Sequence, residues 1–181
     1  CIRDSIHIAP SRGIEQRFDF HGPKGYNKDI LIRGERPVDR VIFHCDLNSF
    51  YASVELLDHP ELRHLPVAVC GDPDSRHGII LAKSTPAKKY GVVTAETIAS
   101  ALRKCPELVI VPSRFDIYSG YSRQMLALLS EYTPDIEKFS IDECFLDMSG
   151  TQALYPDPIQ IAHTMKDKIR EELGFTVNIG I

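Results

Sequence analysis

Two adjacent carboxylates interrupt a strand-like stretch, FSIDECFLD, at residues 139–147. Side chains alternate between the two faces of a strand, so the neighbouring charges of Asp142 and Glu143 cannot both avoid an apolar layer. Burying an unpaired charge is costly. Either the backbone turns here or a positive charge meets the carboxylates, and the stretch therefore predicts a hairpin with Asp142 and Glu143 at its tip.

The predicted elements around this hairpin follow a ferredoxin-like order. They are a strand at 41–47, a helix at 116–132, hairpin strands at 136–141 and 143–148, a helix at 157–173 and a strand from residue 175. Helices on one face of a mainly antiparallel sheet would enclose the core. The sequence thus predicts an α+β fold.

An inserted segment at about residues 50–113 separates the first strand from its helix. It contains a helix that Ser49 is expected to cap, strands in PVAVCG and GIILAK, a helix capped at Ser84 or Thr85, a helix at about 95–104 and a strand in LVIVP. Residues 1–39 mix Gly, Pro, Arg and Asp without a clear period, so we expect an irregular extension there.

The charge of the chain is unevenly distributed. The net charge of −4 taken alone argues against a nucleic-acid partner. Residues 76–104 nevertheless hold six basic residues and one acidic residue, whereas residues 131–172 hold ten acidic and four basic residues. A basic and an acidic segment suit the phosphates and the cations of one charged ligand. Two solvated helical faces are the alternative.

Several classes of protein are disfavoured by the sequence. No apolar run approaches the length of about 20 residues that crosses a bilayer, and the N-terminus lacks a signal-peptide pattern, so we expect a cytoplasmic protein without a membrane partner. The five cysteines form no C-x-x-C motif, which disfavours zinc ribbons and disulfide frameworks. The first residue is Cys1 rather than Met, which favours a fragment or a processed chain.

The central position of the first strand brings a third carboxylate to the hairpin tip. Asp46 lies near the end of that strand, beside Asp142 and Glu143. Three carboxylates this close raise one another's proton affinity unless divalent cations lie among them. Oxygen ligands without His or Cys favour Mg²⁺ or Mn²⁺, and two such ions about 4 Å apart support phosphoryl transfer. The alternatives are a strand-end turn or helix-cap carboxylate for Asp46 and a solvated hairpin tip for Asp142 and Glu143.

Several strings in a fixed order carry a family resemblance. They are FHCDLNSFYASVE, PVAVCG, AKKYGV, KCPEL, VPSRFDIY and SIDECFLDMSG. From Val41 to Ile181 the chain resembles a Y-family translesion DNA polymerase of the DinB/UmuC type, similar to DNA polymerase IV. The resemblance implies a palm at 41–49 and 114–181 with a fingers domain at 50–113 inserted after its first strand.

The same resemblance implies an activity and its ligands. The expected reaction is the template-directed transfer of a dNMP from a dNTP to the 3′-hydroxyl of primer–template DNA, in the bypass of DNA damage. Asp46, Asp142 and Glu143 would be catalytic and would hold two Mg²⁺ ions, or Mn²⁺, with the main-chain carbonyl of Leu47 as a further ligand.

Three aromatic residues match family positions near the nucleotide. Phe50 and Tyr51 match an aromatic pair whose second ring lies beneath the sugar and leaves no room for a 2′-hydroxyl. Tyr118 matches a tyrosine that family members use near the triphosphate and palm. The alternative for Tyr51 is a helix residue packed in the core, and the alternative for Tyr118 is one member of an apolar helical stripe.

The fingers depart from the family pattern. Where many relatives have S-Y-E-A-R, this chain has Ser84-Thr85-Pro86-Ala87-Lys88, so that Thr85 replaces the Tyr and Lys88 replaces the Arg. An ammonium binds phosphate as a point charge, whereas a guanidinium binds it through two parallel hydrogen bonds. Thr85 and Lys88 are still expected to face the triphosphate. Lys83 or Lys89 would compensate for the lost guanidinium, or both are simply solvated.

The parts that grip DNA in the family do not occur in these 181 residues. Family members continue with a lysine-bearing segment, a thumb and a little finger, and a sliding clamp would be a partner through such C-terminal parts. Since DNA affinity depends on neutralising phosphates, we expect the chain alone to be weakly active or inactive. A non-catalytic polymerase-like accessory protein in DNA damage tolerance is the alternative. A nucleotidyl cyclase is disfavoured because the G-G-D-E-F type of hairpin is missing.

Overall fold

The computed structural model describes residues 6–7, 40–71 and 78–181. The prediction of an irregular extension at residues 1–39 therefore lies outside the described residues, apart from a short strand at Ile6–His7. None of the helices in the described ranges is long and apolar enough to cross a membrane.

The larger sheet has five strands. They are β1 (Ile6–His7), β2 (Ile42–Leu47), β6 (Ile136–Lys138), β7 (Glu143–Asp147) and β8 (Val177–Gly180). Their spatial order is β1-β8-β2-β7-β6. The pairs β8–β2, β2–β7 and β7–β6 are antiparallel, and β1 joins the edge of β8 in parallel. The four strands without β1 have the order of a ferredoxin-like sheet, which confirms the predicted α+β fold.

One face of this sheet packs on helices and the other does not. Buried and half-exposed residues alternate strictly along β2 and β7. Phe43, Cys45, Cys144 and Leu146 share one core with buried residues of α4 (Phe115–Leu129) and α5 (Pro158–Leu173). The alternate residues, Asp46 among them, lie on the helix-free face. Strand alternation thus decides which side chains are left for chemistry.

A smaller sheet lies in the inserted segment. Its strands are β3 (Val67–Cys70), β4 (Ile80–Lys83) and β5 (Val109–Pro112), in the order β4-β3-β5. With α2 (Thr85–Lys89) and α3 (Ile98–Lys104) this sheet encloses a second hydrophobic cluster. Val69 and Ala82 belong to the larger core instead, so the two clusters meet along β3 and β4.

The helix starts differ in two places from the sequence prediction. Ser84 caps α2 as predicted, since its hydroxyl oxygen accepts from the Ala87 N–H. Ser49 precedes α1 (Phe50–Asp58) but makes no side-chain cap; its φ of 49° turns the chain sharply out of β2. The third helix, α3, begins after Thr97, whose hydroxyl accepts from the Ser100 N–H at 3.2 Å. Its predicted first residue, Ala95, has a φ of 68°, which a helix excludes.

A buried carboxylate joins α1 to α4. Glu55 is 1% exposed. Arg114, just before α4, donates from Nε to Glu55 Oε1 at 3.1 Å, and its second terminal nitrogen lies 2.7 Å from Glu55 Oε2 and from Asp58. The Tyr118 hydroxyl donates to Glu55 Oε1 at 2.6 Å. These contacts raise the pKa of Arg114, and burial followed by the Glu55 bond raises the pKa of Tyr118.

Replacing Arg114 should test this junction. Arg114→Met would leave the Glu55 carboxylate buried without its counter-charge, and we expect the free energy of unfolding to fall by about 3 kcal/mol. Urea denaturation gives the value. Arg123→Met, which removes an exposed guanidinium from α4, is the matched control and should change little. Equal losses for both variants would contradict the role given to Glu55.

Candidate active site

The pairing of β2 with β7 brings the predicted carboxylates together. Asp46 lies directly opposite Glu143 in the antiparallel register. One residue further on, the Leu47 N–H donates to the Asp142 carbonyl at 3.1 Å. The hairpin tip therefore sits beside the end of β2, and the side chains of Asp46 and Glu143 share the helix-free face.

The hairpin tip is held by local hydrogen bonds. The Ser140 hydroxyl donates to Asp142 Oδ1 at 2.7 Å, and the Asp142 N–H approaches Ser140 Oγ at 3.3 Å. The N–H groups of Phe139 and Ser140 both donate to the Glu143 carbonyl at 3.1 Å. The backbone amides of Phe139 and Ser140 are thus satisfied, and the Ser140 hydroxyl orients one oxygen of Asp142.

The crowding of negative charge shows in the electrostatics. Burial first, and then the charges of Glu143 and Asp142, raise the pKa of Asp46, while His44 opposes the shift. A cation among the carboxylates would remove this cost. Within the described ranges, however, no three His, Cys, Asp or Glu side chains converge closely enough to form a metal site by themselves.

The donor set still fits a hard divalent cation. Carboxylate oxygens are the ligands that Mg²⁺ prefers, and Mg²⁺ usually takes its remaining ligands from water and substrate phosphates rather than from a closed protein cage. Leu47 lines the cleft, although the residue is only 2% exposed.

A cleft of about 340 Å³ opens next to Asp46 and Asp142. Its floor is the β2–α1 turn with Leu47, Asn48, Ser49, Phe50 and Tyr51, and its opposite wall is formed by Leu81, Ala82, Lys83, Lys88 and Thr94. The cleft thus sets carboxylates against ammonium groups. It contains six of the predicted site residues, namely Asp46, Leu47, Phe50, Tyr51, Lys88 and Asp142.

Tyr51 is fixed in the cleft by other rings. Its ring stacks on Tyr118 with centroids 4.5 Å apart and meets the edge of Phe115 at 5.7 Å. Burial and the charge of Asp142 raise the pKa of its hydroxyl. Phe50, in contrast, is 2% exposed and packs against Tyr118 and Phe175. Tyr51 therefore presents a supported surface to the cleft, and Phe50 mainly builds the core beneath it.

Tyr118 does not reach the cleft. It is completely buried, and its hydroxyl is engaged by Glu55. Its burial favours the alternative of a core residue, and a position near a triphosphate stays a prediction. Tyr118 supports the site from the core, through its stack on Tyr51 and its contact with Phe50.

Lys83 lines the cleft. The sequence suggested it only as one of two lysines that could compensate for the missing guanidinium. Its Nζ donates to Thr94 Oγ1 at 3.0 Å. Burial and the nearby Lys88 lower the pKa of Lys83, with Glu96 opposing the shift. Ile80 and Ala82 of β4 are buried while Lys83 is half-exposed, so strand alternation is the signal that distinguishes it from Lys89.

Thr85 lies in a neighbouring groove of about 430 Å³ rather than beside the carboxylates. The groove and the cleft share Asn48, Ser49 and Lys88 in their linings, so together they form a trough that runs from Asp46 past the β2–α1 turn. Asn48 Oδ1 accepts from Asn178 at 2.9 Å, and its buried Nδ2 has no hydrogen-bond partner among the described residues.

Comparisons with known proteins bear on this site. The family model described as impB/mucB/samB matches residues 45–181. DNA polymerase IV of Acetivibrio thermocellus is 50% identical over 142 residues, which are 78% of this chain and 36% of that relative. The chain thus spans little more than a third of this relative's length.

Solved structures agree with the family model. A Y-family DNA polymerase chimera containing Dbh matches with a TM-score of 0.73 and 29% identity, over 77% of this chain and 41% of the other. DinB from Sulfolobus solfataricus matches with a TM-score of 0.71 and 29% identity, also over 77% and 41%. The matched family model covers most of the chain, including Asp46, Tyr51 and the whole hairpin, and the chain therefore belongs to the impB/mucB/samB family of Y-family polymerases, as its motifs indicated.

Proposed function

We propose that this chain is the palm and fingers portion of a translesion DNA polymerase, with the palm at 41–49 and 114–181 and the fingers at 50–113. The reaction is the transfer of a dNMP to a primer 3′-hydroxyl. The observation that carries the proposal is the register of Asp46 opposite Glu143, at the mouth of a cleft whose other wall holds Lys83 and Lys88.

The carboxylates supply the metal-binding side of this proposal. Asp46, Asp142 and Glu143, with the Leu47 carbonyl, would hold two Mg²⁺ ions or Mn²⁺. Bound cations of this kind favour ionisation of an attacking hydroxyl and stabilise a leaving phosphate oxygen. The protein's own part is to fix Asp142 through Ser140 and to hold Asp46 beside Glu143. A bound cation would offset the negative charges of Glu143 and Asp142 that help to raise the pKa of Asp46.

The opposite wall supplies the nucleotide-binding side. Lys83 and Lys88 would neutralise the triphosphate, and Thr85 would line its outer part in the adjoining groove. Tyr51, supported by Tyr118, would lie against C2′ of the sugar. The relative named DNA polymerase IV supports a polymerase activity. Primer–template DNA and dNTP are therefore the proposed partners. A sliding clamp would bind through further parts of a longer protein.

One experiment distinguishes this proposal from the alternative of a non-catalytic accessory protein. In the longer polymerase of which we propose this chain to be a part, Asp142→Ala should abolish single-nucleotide incorporation, because a carboxylate that lines the cleft together with Asp46 is lost. Glu171→Ala, an exposed carboxylate on α5, is the control. Thermal unfolding with Mn²⁺ gives a second readout: the added stability should be lost in Asp142→Ala only. Retained incorporation would refute the role of Asp142.

The ring of Tyr51 should determine sugar selectivity. Tyr51→Ala removes the surface against C2′, and we expect the preference for dNTP over rNTP to fall by about tenfold or more. The ratio of kcat/KM for the two nucleotides measures it. Tyr90→Ala, at a ring that is 46% exposed outside the cleft, should leave the ratio unchanged. An unchanged ratio in Tyr51→Ala would remove the proposed role.

Lys83 and Lys89 form a matched pair for the phosphate-binding wall. Lys83→Ala removes an ammonium from the cleft, and we expect KM for dNTP to rise by roughly tenfold, as is typical for one charged hydrogen bond. Lys89→Ala removes an exposed ammonium from the same region and should have little effect. Steady-state kinetics at fixed primer–template concentration would show the difference, and equal effects would contradict the assignment of Lys83.

A further inference from the structure

One side chain of α4 contacts α1 at two positions that are one helical turn apart. The Tyr118 ring stacks on Tyr51 with centroids 4.5 Å apart and planes 23° apart, and the Tyr118 hydroxyl donates to Glu55 Oε1 at 2.6 Å. Tyr51 and Glu55 are four residues apart and therefore lie on the same face of α1. Tyr118 thus links the ring that lines the cleft to a carboxylate in the core.

The hydrogen bond to Glu55 gives the Tyr118 ring one favourable orientation. Tyr118 is completely buried and Glu55 is 1% exposed, so a hydroxyl turned away from the carboxylate would lose its hydrogen bond without gaining one to water. The short distance is typical of a hydroxyl that donates to an ionised carboxylate. Burial and the bond to Glu55 raise the pKa of Tyr118, so the hydroxyl keeps the proton that it donates.

Glu55 has a second partner, which makes the hydrogen bond separable from the charge. Arg114 contacts both oxygens of the Glu55 carboxylate. The carboxylate therefore keeps its counter-charge when the Tyr118 hydroxyl is removed, and no unpaired charge is left in the core. A variant without this hydroxyl thus tests the orientation of the Tyr118 ring and leaves the ion pair between α1 and the start of α4 in place.

The position of the Tyr51 ring depends on two rings of α4. Phe115 meets Tyr51 edge to face at 5.7 Å, and Tyr118 stacks on its face. Phe115 is 52% exposed whereas Tyr118 is completely buried, so the firmer support comes from Tyr118. A ring that must exclude a single oxygen atom has to be held in place by packing and by hydrogen bonds behind it. A change in the orientation of Tyr118 would therefore be transmitted to Tyr51.

We propose that Glu55 and Tyr118 contribute to sugar selectivity by fixing the ring of Tyr51, so that the choice of nucleotide depends on a hydrogen bond in the core. This inference rests on the proposed function, in which Tyr51 lies against C2′ of the incoming nucleotide. Neither Glu55 nor Tyr118 lines the cleft. Both are therefore positioning residues, which act through Tyr51 and not through contact with the substrate.

Removal of the Tyr118 hydroxyl tests this inference in the longer polymerase. Tyr118→Phe retains the aromatic ring, and we expect the ratio of kcat/KM for dNTP to that for rNTP to fall roughly fivefold, because the Tyr51 ring is held less firmly. Tyr121→Phe removes a hydroxyl from the same helix, at a ring that meets Phe175, and should leave the ratio unchanged. A general loss of stability would lower both values of kcat/KM together, so an unchanged ratio in Tyr118→Phe would overturn the inference.

A double substitution tests whether Tyr118 acts through Tyr51. Tyr51→Ala removes the ring that Tyr118 positions, so adding Tyr118→Phe to it should not lower the ratio further. A further fall in the double variant would show that Tyr118 affects selectivity by another route, and it would contradict the proposal.

A measurement without turnover separates this inference from the polymerase activity. Fluorotyrosine in place of Tyr51 gives a fluorine NMR resonance that should shift or broaden in Tyr118→Phe and stay unchanged in Tyr121→Phe. An altered resonance in Tyr118→Phe, together with no incorporation of any nucleotide by the unmodified protein, would retain the positioning of Tyr51 and refute the proposed function. Incorporation together with an unchanged resonance and an unchanged ratio would retain the function and refute the inference.

Discussion

The antiparallel register between β2 and β7 is the constraint on which the site depends. The pair Cys45–Cys144 and the pair Asp46–Glu143 follow each other along one ladder. Successive pairs point to opposite faces of the sheet, so the cysteines are buried in the core while the carboxylates lie on the other face. A slip of β7 by one residue would turn Glu143 into the core and expose Cys144. The buried side chains Phe43, Cys45 and Leu47 therefore hold the negative charges at the surface.

Local patterns were sufficient to predict the fold. The alternation in β2 and β7 and the helical stripes of α4 and α5 are properties of short segments, and they specified a ferredoxin-like order with helix and strand bounds close to those observed. The exceptions are positions where the backbone departs from a common conformation. Ser49 and Ala95 adopt positive φ angles of 49° and 68°. Neither serine nor alanine is a residue type that predicts this conformation.

The site was predictable as far as its residues belong to short motifs. Asp46, Asp142, Glu143 and Tyr51 were identified in this way, although their roles stay predictions. Lys83 and Tyr118 were harder, because a side chain's access to a cleft depends on how separate elements pack. Lys83 is carried by β4 and lines the cleft, whereas Lys89 is an exposed residue of α2. The Tyr118 hydroxyl is bound by Glu55 of α1.

The two hydrophobic clusters have a consequence for the geometry of the cleft. Cys45 and Leu47, which anchor the carboxylate wall, belong to the larger cluster, whereas Ile80 and Ala87, beside the two lysines, belong to the smaller one. Neither core alone sets the width between the walls. That width is set where the two cores meet, at Val69 and Ala82, whose strands pack against α1. A methyl group gained or lost at these positions would therefore change the distance between the carboxylates and the lysines, in addition to any change in stability.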